Sequence, residues 1–111
     1  MEPIEKAKIS LLFDFYAPML TSRQAEMMQF YYGDDLSLQE IAENTGLSRQ
    51  GVRDALKKSE KIMLDCEEKL GLYEKYRKLC DDLDYIIERL QQIDQNETIN
   101  DIIQRARSMK L

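Results

Sequence analysis

Ser37-Leu38-Gln39-Glu40-Ile41-Ala42-Glu43-Asn44-Thr45-Gly46-Leu47-Ser48-Arg49-Gln50-Gly51-Val52-Arg53-Asp54-Ala55-Leu56-Lys57-Lys58 decides the fold. Ser37 is a good N-cap and Glu40, three residues on, completes a capping box; Leu36 and Ile41 stand in the positions of a hydrophobic staple. The arrangement repeats at Ser48, with Leu47 and Val52 as the staple pair. Gly46 between the two supplies a left-handed residue that ends the first helix. Ala42, four residues before that glycine, is small enough for the second helix to cross closely. Ile41, Leu47, Val52 and Ala55 are the expected shared core. Two short capped helices around a glycine are a helix-turn-helix, whose second helix lies in a DNA major groove when the motif binds DNA. An ordinary helical hairpin would share the caps, but not the combination of small residue, glycine and apolar positions.

The 111 residues make one domain, or one small domain with a helical extension. Apolar residues are 43% of the chain, enough for a core, and four glycines and two prolines leave little room for a turn-rich β fold. No apolar run approaches the ~20 residues that span a bilayer. The N-terminus lacks a charged-then-apolar signal pattern, so a cytoplasmic protein is expected. Cys66 and Cys80 stand apart without CxxC spacing and the chain has no histidine. A metal site is therefore not expected, and the thiols read as reduced, partly buried helix residues. Without histidine, nucleophile elbow or phosphate-binding glycine loop, the sequence points away from an enzyme, and no cofactor is implied.

Charge is distributed unevenly. The net charge is −5, yet residues 48–61 balance at +3 through Arg49, Arg53, Lys57, Lys58 and Lys61, while residues 21–47 balance at −4. Positive charge is thus concentrated on the second helix of the motif. Since phosphate contacts dominate nucleic-acid affinity, the acidic surroundings should make binding weak, salt-sensitive or partner-dependent.

Outward from the motif, residues 4 to about 17 read as a helix with two apolar stripes, one of Ile4, Leu11, Leu12, Phe15 and Met19, the other of Ile9, Phe13, Tyr16 and Leu20. Both stripes would need cover, from the C-terminal helices or another subunit. Pro18 ends this helix. Thr21, with Gln24 in the capping-box position, starts a second, along which Ala25, Met28 and Tyr32 line one side and which Gly33 stops. Tyr31 and Tyr32 could stack on nucleic acid, but aromatics on a short apolar helix are more often core. Val52, Leu56, Ser59, Met63, Cys66, Leu70 and Tyr73 alternate at spacings of four and three, which argues one helix from Arg49 to near Leu70, with Gly71 either ending or bending it. Tyr76, Leu79, Leu83, Ile86, Leu90 and Ile93 continue the heptad spacing, widened by Cys80 and Ile87. Asp94-Gln95-Asn96 breaks it, and a last helix at 98–109 places Ile99, Ile102, Ile103, Ala106 and Met109 on one face. These stripes suit an intramolecular hairpin or a dimer interface; their length in so short a chain favours a homodimer through the C-terminal helices.

The expected architecture is all-α: residues 1–62 forming N-terminal helices plus the helix-turn-helix at 37–58, and 63–111 a long helical extension packed on the same core or on a dimer partner. At Leu36-Ser37-Leu38-Gln39-Glu40-Ile41-Ala42 and Ser48-Arg49-Gln50-Gly51-Val52 the sequence resembles region 4 of bacterial sigma factors, which bind promoter −35 elements. Adding Leu12-Phe13-Asp14-Phe15-Tyr16 before the motif and the acidic helical tail after it, nearly the whole chain is similar to the YlxM family, small helix-turn-helix proteins of Gram-positive bacteria. That resemblance implies a regulator tied to the signal recognition particle pathway by gene neighbourhood, with no catalytic residue. From sigma region 4 the matching positions Ser48, Arg49, Gln50, Arg53 and Lys57 carry over as groove-facing candidates.

The chain lacks the other sigma regions, so it cannot by itself direct polymerase to a promoter. Asp54 sits beside the candidates, where it repels phosphate unless it reads a cytosine amino group or pairs with Arg53 or Lys58. Three functions follow. One is a nucleic-acid-binding regulator in which Arg49 and Gln50 reach base edges and Arg53, Lys57 and Lys58 reach phosphates. A second is an interaction module that contacts the particle's GTPase or its RNA by shape and charge, since A-form RNA excludes a helix from its major groove. A third is a dimeric helical scaffold without such a ligand.

Overall fold

A computed structural model describes the backbone of residues 3–111 and side chains from Lys6 onward. Among the described residues there are six α-helices and no strand: α1 (Pro3–Tyr16), α2 (Ser22–Met28), α3 (Leu38–Thr45), α4 (Arg49–Leu70), α5 (Leu72–Gln91) and α6 (Glu97–Ser108). The chain divides into two compact units, the first ending at Tyr73 and the second Glu74–Leu111.

In the first unit, helix starts follow their caps. Thr21 Oγ1 accepts the Gln24 N–H at 3.1 Å while Gln24 Oε1 accepts the Thr21 N–H at 2.9 Å. Ser37 and Glu40 make the same reciprocal pair, and Ser48 Oγ accepts the Gly51 N–H at 2.9 Å. These bonds satisfy amide groups that a helix start otherwise leaves unpaired. Helix ends follow the glycines. Gly46 (φ 76°) and Gly71 (φ 64°) are left-handed, and each donates its N–H to a carbonyl four residues back. Gly71 therefore ends α4 rather than bending it.

The core of this unit is built by α4 against α1, α2 and α3. Val52, Leu56, Ser59 and Met63 are its buried line, facing Ile9, Leu12, Tyr16 and Leu20 from the first helix and its exit, Met27 and Met28 from α2, and Ile41 and Ala42 from α3. Each large apolar side chain removed from water contributes about 1.5–3 kcal/mol. Ser59, fully buried in that line, is satisfied by donating to the Ala55 carbonyl at 3.1 Å.

Two local features depart from the sequence reading. The first stripe of α1 is only partly covered: Leu12 is buried and Phe15 packs against the core, while Leu11 and Met19 are exposed; of the second, Ile9, Tyr16 and Leu20 are buried and Phe13 packs against the core. The side chain of Ile4 lies outside the described residues. Second, α2 does not run as an α-helix to Gly33; it widens into a π turn at Gln29–Gly33, with the Asp34 N–H bonded to the Gln29 carbonyl. Within it, Tyr31 lines a cleft with Arg53, Leu56 and Lys57 of α4, and Tyr32 bonds to Glu60. Asp35 then takes a left-handed conformation (φ 57°). As expected, α1 ends just before Pro18, which falls within a short 3-10 turn, Ala17–Met19.

The second unit is an antiparallel hairpin of α5, from Glu74, and α6. Its buried residues are Leu83, Ile87, Ile103 and Ala106, with Leu90 and Ile99 packed against them. Asn96 caps α6 by accepting the Ile99 N–H at 2.9 Å. The open end is tied by a Lys110–Asp84 ion pair and by the Leu111 N–H donating to the Tyr76 hydroxyl at 2.7 Å. Here too the sequence stripe is displaced. Leu79, Ile86 and Ile93, placed in the core line by heptad spacing, are exposed, and Ile87, counted as a widening residue, lies at the centre.

Candidate nucleic-acid interface

α4 carries every candidate contact except Ser48, its N-cap. With Val52, Leu56, Ser59 and Met63 turned inward, a helix of 3.6 residues per turn turns Gln50, Asp54, Lys57 and Lys61 outward. Arg49 and Arg53 fall on the flank toward the start of α3, and Lys58 on the opposite flank. All of these residues are exposed.

Most of the candidates keep their charge available. Among the described residues, no ion pair engages Arg49, Arg53, Lys57 or Lys58, whereas Lys61 pairs with Asp65 at 3.6 Å. Ser48 spends its oxygen on the Gly51 cap and retains a hydroxyl proton to donate. Asp54 pairs with neither Arg53 nor Lys58: it accepts from Gln50 Nε2 at 2.9 Å. Of the alternatives for Asp54, pairing with Arg53 or Lys58 is thus not the one adopted, and the bond to Gln50 follows from the i, i+4 spacing that stacks residues 50 and 54 on one face. It holds the Gln50 amide along the helix and leaves a carboxylate in the middle of the outward face.

Three shallow clefts shape the surface. Leu38, Arg49, Gln50 and Arg53 line one of about 280 Å³ where α3 meets α4. Beside it, Tyr31, Leu38, Arg53, Leu56, Lys57 and Glu60 line one of about 200 Å³. Across α4, Gly51, Asp54, Ala55, Lys57, Lys58 and Lys61 line one of about 570 Å³. Arg53 is common to the first two, and Lys57 to the second and third.

The sequence did not single out Leu38, the first residue of α3, as a cleft wall. It also did not connect Tyr31 with α4, since that position depends on the π turn. The turn is held from several directions. The Lys6 ammonium lies 4.8 Å from the Tyr31 ring centroid and 3.1 Å from Asp35 Oδ1. Tyr31 meets Tyr32 edge-on at 4.9 Å, and the Tyr32 hydroxyl donates to Glu60. Burial, then that hydrogen bond to a carboxylate, pushes the Tyr32 phenol far above its ordinary value. It stays neutral and anchors the turn on α4.

The surface therefore presents exposed cations on the second helix of a capped helix-turn-helix, with a wall contributed by the first. The family described as "Putative helix-turn-helix protein, YlxM / p13 like" matches residues 4–106. This chain belongs to that family. Proteins named "UPF0122 protein" are similar to it: one from Limosilactobacillus reuteri (strain DSM 20016) is 48% identical over 77 residues, 69% of this chain and 68% of the relative. One from Streptococcus pneumoniae (strain Hungary19A-6) is 47% identical over 87 residues, 78% of this chain and 79% of the relative. Another from Clostridium novyi (strain NT) is 38% identical over 97 residues, 87% of this chain and 84% of the relative. The YlxM-like family is described as one of helix-turn-helix proteins. No described helix is long and apolar enough to cross a membrane, and no three metal-ligating side chains cluster among the described residues.

Proposed function

We propose that this chain is a non-enzymatic, cytoplasmic regulatory protein that binds nucleic acid through α4. Arg49 and Gln50, in the first turn, address base edges; Ser48, Arg53, Lys57 and Lys58 address phosphates on either side. The observation that carries the reading is the set of exposed cations on the second helix of the motif, Arg49, Arg53, Lys57 and Lys58, which form no ion pair among the described residues. The outward Asp54 and the net charge of −5 limit its strength. In a homodimer through the C-terminal helices, two such helices would address half-sites about 34 Å apart.

A second reading is favoured by that acidic sum: cations confined to one patch of an acidic chain suit docking on a ribonucleoprotein with a basic protein component. The signal recognition particle, with its RNA and GTPase, is the proposed partner there. Titration of the chain against random duplex DNA and against the particle's RNA, each with and without the GTPase and across a salt series, separates the two. Affinity for duplex that falls steeply with salt supports the first; binding only to RNA with the GTPase present supports the second; no binding to any of them removes both.

A further inference from the structure

The hairpin of the second unit buries four residues between its helices, and the rest of its apolar surface is half exposed. Leu79 and Ile86 on α5, Ile102 on α6, and Ile93 and Met109 just past the ends of those helices are each between 43% and 55% exposed. They are not scattered. Leu79, Ile86 and Ile93 stand seven residues apart in sequence, as do Ile102 and Met109. At about 100° per residue, Leu79 and Ile86 on α5 and Ile102 on α6 lie about 70° to the same rotational side of their helix's buried line. Because the two helices run antiparallel, that places both sets on one side of the hairpin, as a continuous apolar face.

We infer that this face is the contact between two copies of this chain, which join their hairpins into a four-helix bundle. Three observations select a second copy. The hairpin spans residues 74–111 with four core residues, and units of this size ordinarily need further burial to be stable. The seven-residue recurrence is the seam period of helix bundles, and half a bundle is what the hairpin resembles. The rim is self-complementary in charge. Asp82 and Arg89 flank the face on α5, and Arg89 is steadied over the Tyr85 ring at 5.1 Å. About a two-fold axis between residues 85 and 86, antiparallel α5 helices bring each Asp82 to the other copy's Arg89. The same axis passes beside Ile86, so the register that pairs the charges also brings the two copies' Ile86 side chains together. An isologous contact has this property: one patch serves both copies.

The face extends the dimer element of the proposed function and is independent of its nucleic-acid element. Analytical ultracentrifugation of the full chain, without nucleic acid, therefore tests it separately. The wild type at 10–100 µM is expected at twice the chain mass. Ile86→Asp is expected at the monomer mass with helical circular dichroism unchanged. Asp82→Arg and Arg89→Asp should each weaken association about ten-fold or more by opposing like charges, and the double variant should restore it. A monomeric wild type at 100 µM overturns the proposal, including the case in which only an added foreign amphipathic helix shields Ile86. A dimeric Ile86→Asp overturns the face, and a double variant no better than the single ones overturns the register.

Discussion

The Tyr16 hydroxyl at the end of α1 donates to Glu67 Oε1, near the end of α4, at 2.6 Å across 51 positions of sequence. The same hydroxyl accepts the Leu72 N–H at 3.2 Å, and Glu67 Oε1 also accepts the Tyr73 N–H at 2.9 Å. One buried phenol and one carboxylate thus satisfy two amides of the first turn of α5 and close the left-handed break at Gly71. A carboxylate at a helix start also complements its dipole. Lys8, 5.8 Å from the Tyr73 ring centroid, adds α1 to the same junction.

Tyr16→Phe should therefore destabilise the chain by about 1–3 kcal/mol, because it strips Glu67 and the Leu72 amide of a partner while leaving the apolar ring in place. Urea denaturation followed by circular dichroism measures it. An unchanged midpoint would show that water replaces the hydroxyl without cost.

Alkaline pH tests the same contact from another side. Burial and the hydrogen bond to Glu67 raise the Tyr16 phenol above its ordinary value of 10.0, and Tyr32 is raised by burial and by Glu60. The folded state favours the neutral phenols, so their contribution is fully present below pH 10. It is lost as pH rises past 10, where unfolded tyrosine ionises, and on through the higher folded values. Stability should fall from pH 10 to 11.5 more steeply in the wild type than in a Tyr16→Phe, Tyr32→Phe double variant.

Gly46→Ala should cost about 1–2 kcal/mol, the strain of an L side chain in the left-handed region. A Cβ there meets no atom within 4 Å, so the cost is in the backbone and not in packing. Gly71→Ala faces the same strain with the same open surroundings. Asparagine at either site should cost less than alanine. Thermal denaturation of the four variants checks the order.

The fold was legible where local chemistry dictates it. Thr21, Ser37 and Ser48 announce helix starts by their side-chain oxygens, and Gly46 and Gly71 announce ends by tolerating positive φ. The line from Val52 to Met63 follows from apolar spacing alone. What was not legible is which flank of a wide apolar stripe is covered. At about 100° per residue, Leu79 and Ile86 stand about 50° around α5 from the line of Leu83 and Leu90 that meets α6, and Ile93 falls past the helix end at Gln91. Spacing cannot say which of the two lines the chain itself fills. The π turn was equally hidden, because the extra residue in Gln29–Gly33 is stabilised by tertiary partners, Lys6 and Glu60, that lie far off in sequence. Within the interface, residue type and spacing located the cations, whereas the Leu38 wall and the Gln50–Asp54 bond required the packed structure.

Asp54→Asn should tighten nucleic-acid binding about five-fold at low salt, by removing the one carboxylate at the centre of the outward face of α4. The amide oxygen can still accept from Gln50, so the helix surface keeps its shape. Fluorescence anisotropy with a labelled duplex measures the change. Weaker binding would show that Asp54 makes a favourable contact of its own.

The most direct test is the salt dependence of binding by an Arg53→Ala, Lys57→Ala variant beside the wild type, read by anisotropy with duplex DNA from 50 to 300 mM salt. Arg53 and Lys57 are exposed, unpaired among the described residues and remote from the core, so helicity should be unchanged. If they contact phosphates, affinity falls for every sequence and the slope of log affinity against log salt becomes shallower by about two. An affinity and slope equal to the wild type would contradict nucleic-acid binding through this helix.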